Sequence, residues 1–139
     1  MNARIEAHVQ NRLDNFRTAL DALGRFLAES NRGEAAEAGI VQGFEFTFEQ
    51  CWKLFQLLAE QNALSASSPR AALKAGIKLG FIADESLWLD MLEQRNLASH
   101  TYHTALAKPL VARIESTFFQ ELSAVTDRVT GFLDDLVRK

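Results

Sequence analysis

The sequence predicts an all-α protein: an antiparallel, up-and-down four-helix bundle with one short extra helix. Three observations predict it. Apolar residues recur at steps of three and four over long stretches. The breaks between those stretches are short, and short breaks between long helices imply antiparallel neighbours. No stretch reads as a convincing strand.

The first helix is predicted from about Ala3 to Glu29. Ile5, Val9, Leu13, Phe16, Leu20, Leu23 and Leu27 form one apolar stripe along it, and Asn31-Arg32-Gly33 supplies the stop and the turn. The second helix is predicted from about Ala36 to Asn62. Ile40, Val41, Phe44, Phe48, Cys51, Trp52, Phe55 and Leu58 fill a broad arc, with Glu45, Glu49, Lys53, Gln56 and Glu60 on the far side. Phe46 and Leu57 fall outside the main arc. A helix with a second apolar strip is central in its bundle or covered by another chain, and a second chain is the expectation here. Ser68-Pro69 reads as a helix start, the Ser hydroxyl capping and the Pro at the first helical position. The short third helix is predicted over about Pro69 to Leu79, ended by Gly80. Asp84 caps a fourth from about Glu85 to Ser99 or a little beyond. The last is predicted from about Pro109 to Arg138, on the near-heptad spacing of Val111, Ile114, Phe118, Leu122, Val125, Val129, Phe132 and Leu136. No repeat or linker divides the chain, so residues 1–139 are read as a single domain.

Composition narrows the function. The 139 residues are 47% apolar, which suits a globular chain with one core. Net charge is −3 with no Lys/Arg-rich run, which argues against broad electrostatic binding to duplex DNA. The one cysteine, Cys51, lies among Phe44, Phe48 and Phe55 and reads as a small core residue. The N-terminal residues lack the apolar region of a secretory signal. No apolar run approaches the ~20 residues that cross a bilayer. A cytoplasmic protein with no membrane association is expected.

The chemistry-bearing stretch is Arg95-Asn96-Leu97-Ala98-Ser99-His100-Thr101-Tyr102. Leu87, Trp88, Met91, Leu92 and Ala98 span an arc of roughly 140° on the fourth helix, and Arg95 and Tyr102 fall inside it. An Arg on an apolar face needs a carboxylate or a bound anion, because its charge cannot be removed. Glu45 and Glu49, one turn apart on the second helix, are the expected partners. His100 follows Arg95 by five residues and points roughly 140° away on an ideal helix. The two come together if the helix loosens near Ser99, or if two copies pool their residues across a symmetric interface. Blander roles stand beside these: a structural ion pair for Arg95, a capping imidazolium for His100, a packed ring for Tyr102. His103 reads as surface, and Asp90 and Glu93 as a solvated face.

Other chemistries lack their residues. Gly76 and Gly80 sit around one short helix end without a preceding strand, so no phosphate loop is indicated. There is no HExxH or Cys cluster for zinc, and no strand-turn-helix elbow for a Ser nucleophile. Glu45 and Glu49 have the spacing of a carboxylate metal box, but no Glu-x-x-His pair accompanies them. No metal and no cofactor is expected.

Gly43-Phe44-Glu45-Phe46-Thr47-Phe48-Glu49-Gln50-Cys51-Trp52-Lys53 resembles the FEFTFE-x-x-WK signature of the nucleotidyltransferase substrate-binding-protein family, in the HEPN superfamily. Ser67-Ser68-Pro69-Arg70, Trp88-Leu89-Asp90-Met91-Leu92 and the Arg95–Tyr102 stretch resemble it too, in order and spacing. The resemblance implies a helical bundle, a homodimer, and a minimal nucleotidyltransferase as partner. In related pairs the HEPN protein is a toxin and the nucleotidyltransferase its antitoxin. The toxin's R-x4-H-x-Y motif matches Arg95, His100 and Tyr102. It implies RNA cleavage by the Arg and His without metal, and attachment of AMP to the Tyr to silence the toxin. Gly43 departs from the family, where a basic residue often precedes the Phe. The residue types suit this chemistry. Imidazole is a base near neutrality, guanidinium a two-pronged donor to phosphate, and Asn96 a group to orient either or to contact phosphate. The alternative reading is a non-catalytic subunit that presents an RNA or nucleotide substrate to the nucleotidyltransferase.

Overall fold

The structure is a computed structural model that describes residues 3–100 and 104–138, with side chains at all of these except 99, 100 and 104–106. The described residues are helical with no strand. In order they form α1 (Ala3–Leu27), α2 (Glu34–Gln61), α3 (Pro69–Lys78), α4 (Glu85–His100), α5 (Thr104–Arg113), a π turn (Ile114–Phe118) and α6 (Phe119–Arg138).

Most residues of the predicted apolar stripes are buried, while Ile5, Leu27, Trp52 and Phe132 are half-buried and Leu136 is 41% exposed. Val9, Leu13, Phe16, Leu20 and Leu23 of α1 are buried against α2. Gly43 sits beside Leu23 and Gly39 beside Phe26, so residue numbers rise along one helix as they fall along the other. α2 touches every other helix, and its broad arc explains why: Ile40, Phe44, Phe48, Cys51, Leu54, Phe55 and Leu58 are all fully buried. Leu57 is packed, half-buried, against the chain's own core. Phe46 remains 54% exposed.

Aromatic rings form one continuous chain through the core. Phe118 stacks on Phe44 at 5.5 Å, and Phe44 meets Phe48 at 6.2 Å. Trp88 lies between Phe48 and Phe55, at 6.2 and 5.7 Å. Phe55 stacks on Phe81 at 5.4 Å, and Phe81 meets Phe132 edge-on at 5.2 Å. The series joins α2, α4, the loop between α3 and α4, and α6 through side chains that carry no polar atom except the Trp88 indole N–H.

The helix ends follow local chemistry. Ser68 Oγ accepts from Ala71 N at 3.1 Å, with Pro69 at the first helical position. Gly80 ends the turn after α3 with φ +88°, a conformation open to glycine at little cost. Asp84 Oδ1 accepts from Leu87 N at 3.1 Å and caps α4. Arg32 closes the end of α1 by donating to Leu27 O at 3.1 Å, and pairs with Glu115 of the π turn at 2.6 Å.

The last predicted helix differs from expectation in two respects. It begins at Thr104 and holds Pro109 inside its first two turns, rather than starting at Pro109. It is also interrupted by the π turn. No described helix is long and apolar enough to cross a membrane.

Candidate functional site

α4 carries the site, and the ring series sets its rotation. Trp88 is 1% exposed and Met91 fully buried, so that face turns to the core. Leu87, Leu92 and Ala98 pack half-buried on its margins. Arg95 follows Trp88 by seven residues, about 20° off the same line. It is half-buried, as an Arg at the end of an apolar stripe must be when its stem packs and its head stays polar.

The guanidinium Nη1 of Arg95 donates to Asn96 Oδ1 at 3.2 Å. The structure therefore brings Arg95 and Asn96 together. The expected carboxylates have contacts of their own. Glu49 is taken up by Lys53, one turn on, at 3.2 Å. Glu45 is half-buried and engaged. The side chains of His100, Tyr102 and His103 lie outside the described residues, so their expected approach to Arg95 belongs to the proposal below.

Gly43 has a packing reason. A Cβ there would stand 3.3 Å from Leu23 Cδ1, tight for a contact between two helices. A larger residue at this position needs α1 to give way.

Two ties hold α4 that the sequence alone did not reveal. Trp88 Nε1 donates to Glu121 Oε1 at 3.0 Å, and Arg128 donates to the same oxygen at 2.9 Å. Arg128 also donates to Phe81 O at 2.9 Å, so one cluster joins α4, α6 and the loop before α4. On the other flank Asp90 pairs with Arg113, whose guanidinium lies 4.7 Å from the Phe118 ring centre. Asp90 is thus half-buried and bonded rather than merely solvated. Hydrogen bonding to Arg113 holds its carboxyl below the usual carboxylate range, and Gln94 adds to that. Burial pushes the Cys51 thiol well up, with the Glu121 charge adding to it, as suits an inert core residue.

An open groove of about 910 Å³ runs along the outer side of α4. Its charged wall is mixed but mainly acidic, with Glu85, Asp90 and Glu93 against Arg70, and Leu97 on its floor is 49% exposed. Among the described residues, no group of three or more His, Cys, Asp or Glu could hold a metal ion.

The sequence and the fold each match known proteins. A stretch of 94 residues is 32% identical to "Probable ribonuclease HepT" of Haemophilus influenzae, covering 60% of this chain and 64% of that protein. The chain thus spans just under two thirds of the curated relative's length. A crystal structure of the Thermus thermophilus protein ttk003001694 superposes with a TM-score of 0.68 at 27% identity, covering 84% of this chain and 96% of that one. Two further structures share the fold at low identity. One is a mutant of the toxin–antitoxin pair MntA–HpeT (TM-score 0.73, 13% identity, 88% of this chain and 97% of the other). The other is a tri-AMPylated HEPN toxin of Shewanella oneidensis in complex with its MNT antitoxin (TM-score 0.75, 14% identity, 94% and 99%). The model of the family described as "Nucleotidyltransferase substrate binding protein like" matches residues 11–130, which include every motif residue discussed above. The chain belongs to this nucleotidyltransferase substrate-binding family.

Proposed function

We propose that this chain is the toxin of a toxin–antitoxin pair, a metal-independent endoribonuclease held in check by a small nucleotidyltransferase. The observation that carries the reading is Arg95. It is an arginine kept half-buried on the core-facing line of α4, bonded to Asn96, at the head of the R-x4-H-x-Y motif. The names of the similar proteins support it, one a ribonuclease and one a HEPN toxin bound to its antitoxin. The fold that goes with this reading is an up-and-down four-helix bundle with α3 as the short insert, paired as a homodimer that sets two copies of the motif around one cleft.

The chemistry needs few groups. His100 takes the proton of an RNA 2′-hydroxyl. The freed oxygen bonds to the adjacent phosphorus, and the bond from phosphorus to the 5′-oxygen breaks. The leaving oxygen regains a proton from an imidazolium, and the products are a 2′,3′-cyclic phosphate and a 5′-hydroxyl. Arg95 holds the extra negative charge on the pentavalent phosphate through paired N–H donors. Asn96 fixes the guanidinium plane. Single-stranded RNA is the expected substrate, because its phosphates and 2′-hydroxyls can be splayed into a cleft. AMP on Tyr102 would place a bulky anion beside Arg95 and close the cleft.

One observation favours a second reading, a substrate-presenting subunit without nuclease activity. The groove beside α4 is walled mainly by Glu85, Asp90 and Glu93, which repel an RNA backbone. The two readings separate in one experiment. The chain is incubated with single-stranded RNA in EDTA, before and after treatment with the partner and ATP. The toxin reading expects cleavage beforehand, a mass gain in AMP units at Tyr102, and cleavage lost afterwards. Intact RNA in both arms, with a stable complex, would replace it with the second reading.

A further inference from the structure

We infer that Glu121 is a positioning residue for Arg95, acting through Trp88, and that the π turn is what sets Glu121 and Arg113 together against α4. This rests on the ribonuclease reading of the Arg95 site for its catalytic consequence, but not for its geometry.

α4 carries Arg95 near its end, beyond Met91, the last fully buried side chain among those described on the helix. Ring packing turns the Trp88 face of α4 to the core but, being dispersion, carries no directional polar contact of its own. The Trp88–Glu121 hydrogen bond supplies direction. Its acceptor is itself fixed, since Glu121 Oε1 also accepts from Arg128, and Arg128 is anchored on Phe81 O. The Glu121 side chain is only 18% exposed, so little water competes for it. Asp90 lies about 200° round α4 from Trp88, and Arg113 pairs with it there. Two ties at separate points around α4 resist its rotation. Arg95, two turns after Trp88, inherits the setting.

Both gripping residues come from the α5–α6 rod. Glu121 follows Arg113 by eight residues, which on an uninterrupted α-helix places them about 80° apart. The π turn between them absorbs one extra residue and reduces this to roughly 20°. It also lays Arg113 over the Phe118 ring five residues on, a contact that an α-helix does not offer. The irregular turn therefore aligns the two side chains that hold α4.

The test uses Trp88→Phe, which keeps a ring between Phe48 and Phe55 and removes the indole N–H, together with Glu121→Leu and Glu121→Gln. RNA cleavage in EDTA is measured per folded molecule. The Arg95 Nε–H resonance, identified by its absence in Arg95→Lys, is followed by NMR. Trp88→Phe and Glu121→Leu are expected to lower kcat on the order of tenfold to a hundredfold with KM within about twofold, as a small misplacement of a catalytic group does. Glu121→Gln keeps an oxygen acceptor for the indole and should recover most of the rate. Wild-type kcat in Trp88→Phe overturns the inference. If the wild-type chain leaves RNA intact, the ribonuclease reading fails and the resonance alone decides. A displaced Arg95 signal in Trp88→Phe supports the positioning role, and an unmoved one overturns it.

Discussion

Replacing Phe55 with alanine should be among the most damaging single changes to this fold. Its ring is fully buried, stacked 5.4 Å from Phe81 and tilted against Trp88 at 5.7 Å. The backbone at Gly76 approaches so closely that a Cβ there would lie 3.1 Å from Phe55 Cδ2. Truncation removes the ring and leaves a cavity, at a cost of about 3–5 kcal/mol. The two aromatic partners, each worth about 0.5–1.5 kcal/mol beyond their area, place the value in the upper half. A domain of 139 residues has about 7–20 kcal/mol in total, so the variant still folds. Unfolding entropy of about 2.1 cal/mol/K per residue converts the loss to a fall in Tm of about 10–17 °C. Urea and thermal unfolding read both quantities. Phe46→Ala is the control, since that ring is 54% exposed and its removal should change stability by less than about 0.5 kcal/mol. A loss below about 1.5 kcal/mol for Phe55→Ala, or equal losses for both variants, would refute the assignment of the core to this ring series.

Three further outcomes follow from the helix ends and the titrating groups. Ser68→Ala removes the oxygen that receives Ala71 N and should cost about 1 kcal/mol in urea unfolding. Asp90 has its carboxyl lowered by Arg113, so its contribution is complete above the unfolded pKa and is lost as pH falls through the lower, folded value. Both side chains are about a third or more exposed, which limits the contribution to about 0.2–1 kcal/mol. The stability gap between wild type and Asp90→Asn should accordingly be constant from neutral pH to about pH 5 and close below about pH 4. A gap that widens in acid would reverse the sign of that pairing. Cys51, fully buried with its thiol pushed up, should react with a thiol reagent only at the rate of unfolding. Rapid labelling under native conditions would contradict its burial.

Much of the fold could be read from spacing. The steps of three and four in α1, the broad arc of α2, and the caps at Ser68 and Asp84 are local signals, and local signals survive in one sequence. Cys51 was legible in the same way, from its neighbours on one helix face. What escaped were contacts between residues far apart in the chain. Trp88 and Glu121 are 33 residues apart, and Asp90 and Arg113 are 23 apart, and no periodicity links either pair. Asp90 therefore read as solvated, and nothing in the sequence singled out Glu121. Pro109 was read as a helix start because that is where its missing N–H costs least. Here it lies inside α5, five residues after Thr104. The π turn left no visible mark, because the spacing of Ile114, Phe118 and Leu122 also suits a regular helix. At the site, Arg95 was legible as a charge on an apolar face. Of its expected carboxylates, Glu45 and Glu49, Glu49 also pairs with Lys53 one turn away on the same helix, a local pairing the spacing allows.

The central claim is that Arg95 and His100 cut RNA. Its most direct measurement is the rate of single-stranded RNA cleavage in EDTA by wild type, Arg95→Ala and His100→Ala at equal folded concentration, with the new RNA ends identified. The account predicts cleavage by wild type leaving 2′,3′-cyclic phosphates, and a loss of about a hundredfold or more in each variant. RNA decay at the same rate in all three proteins would contradict it.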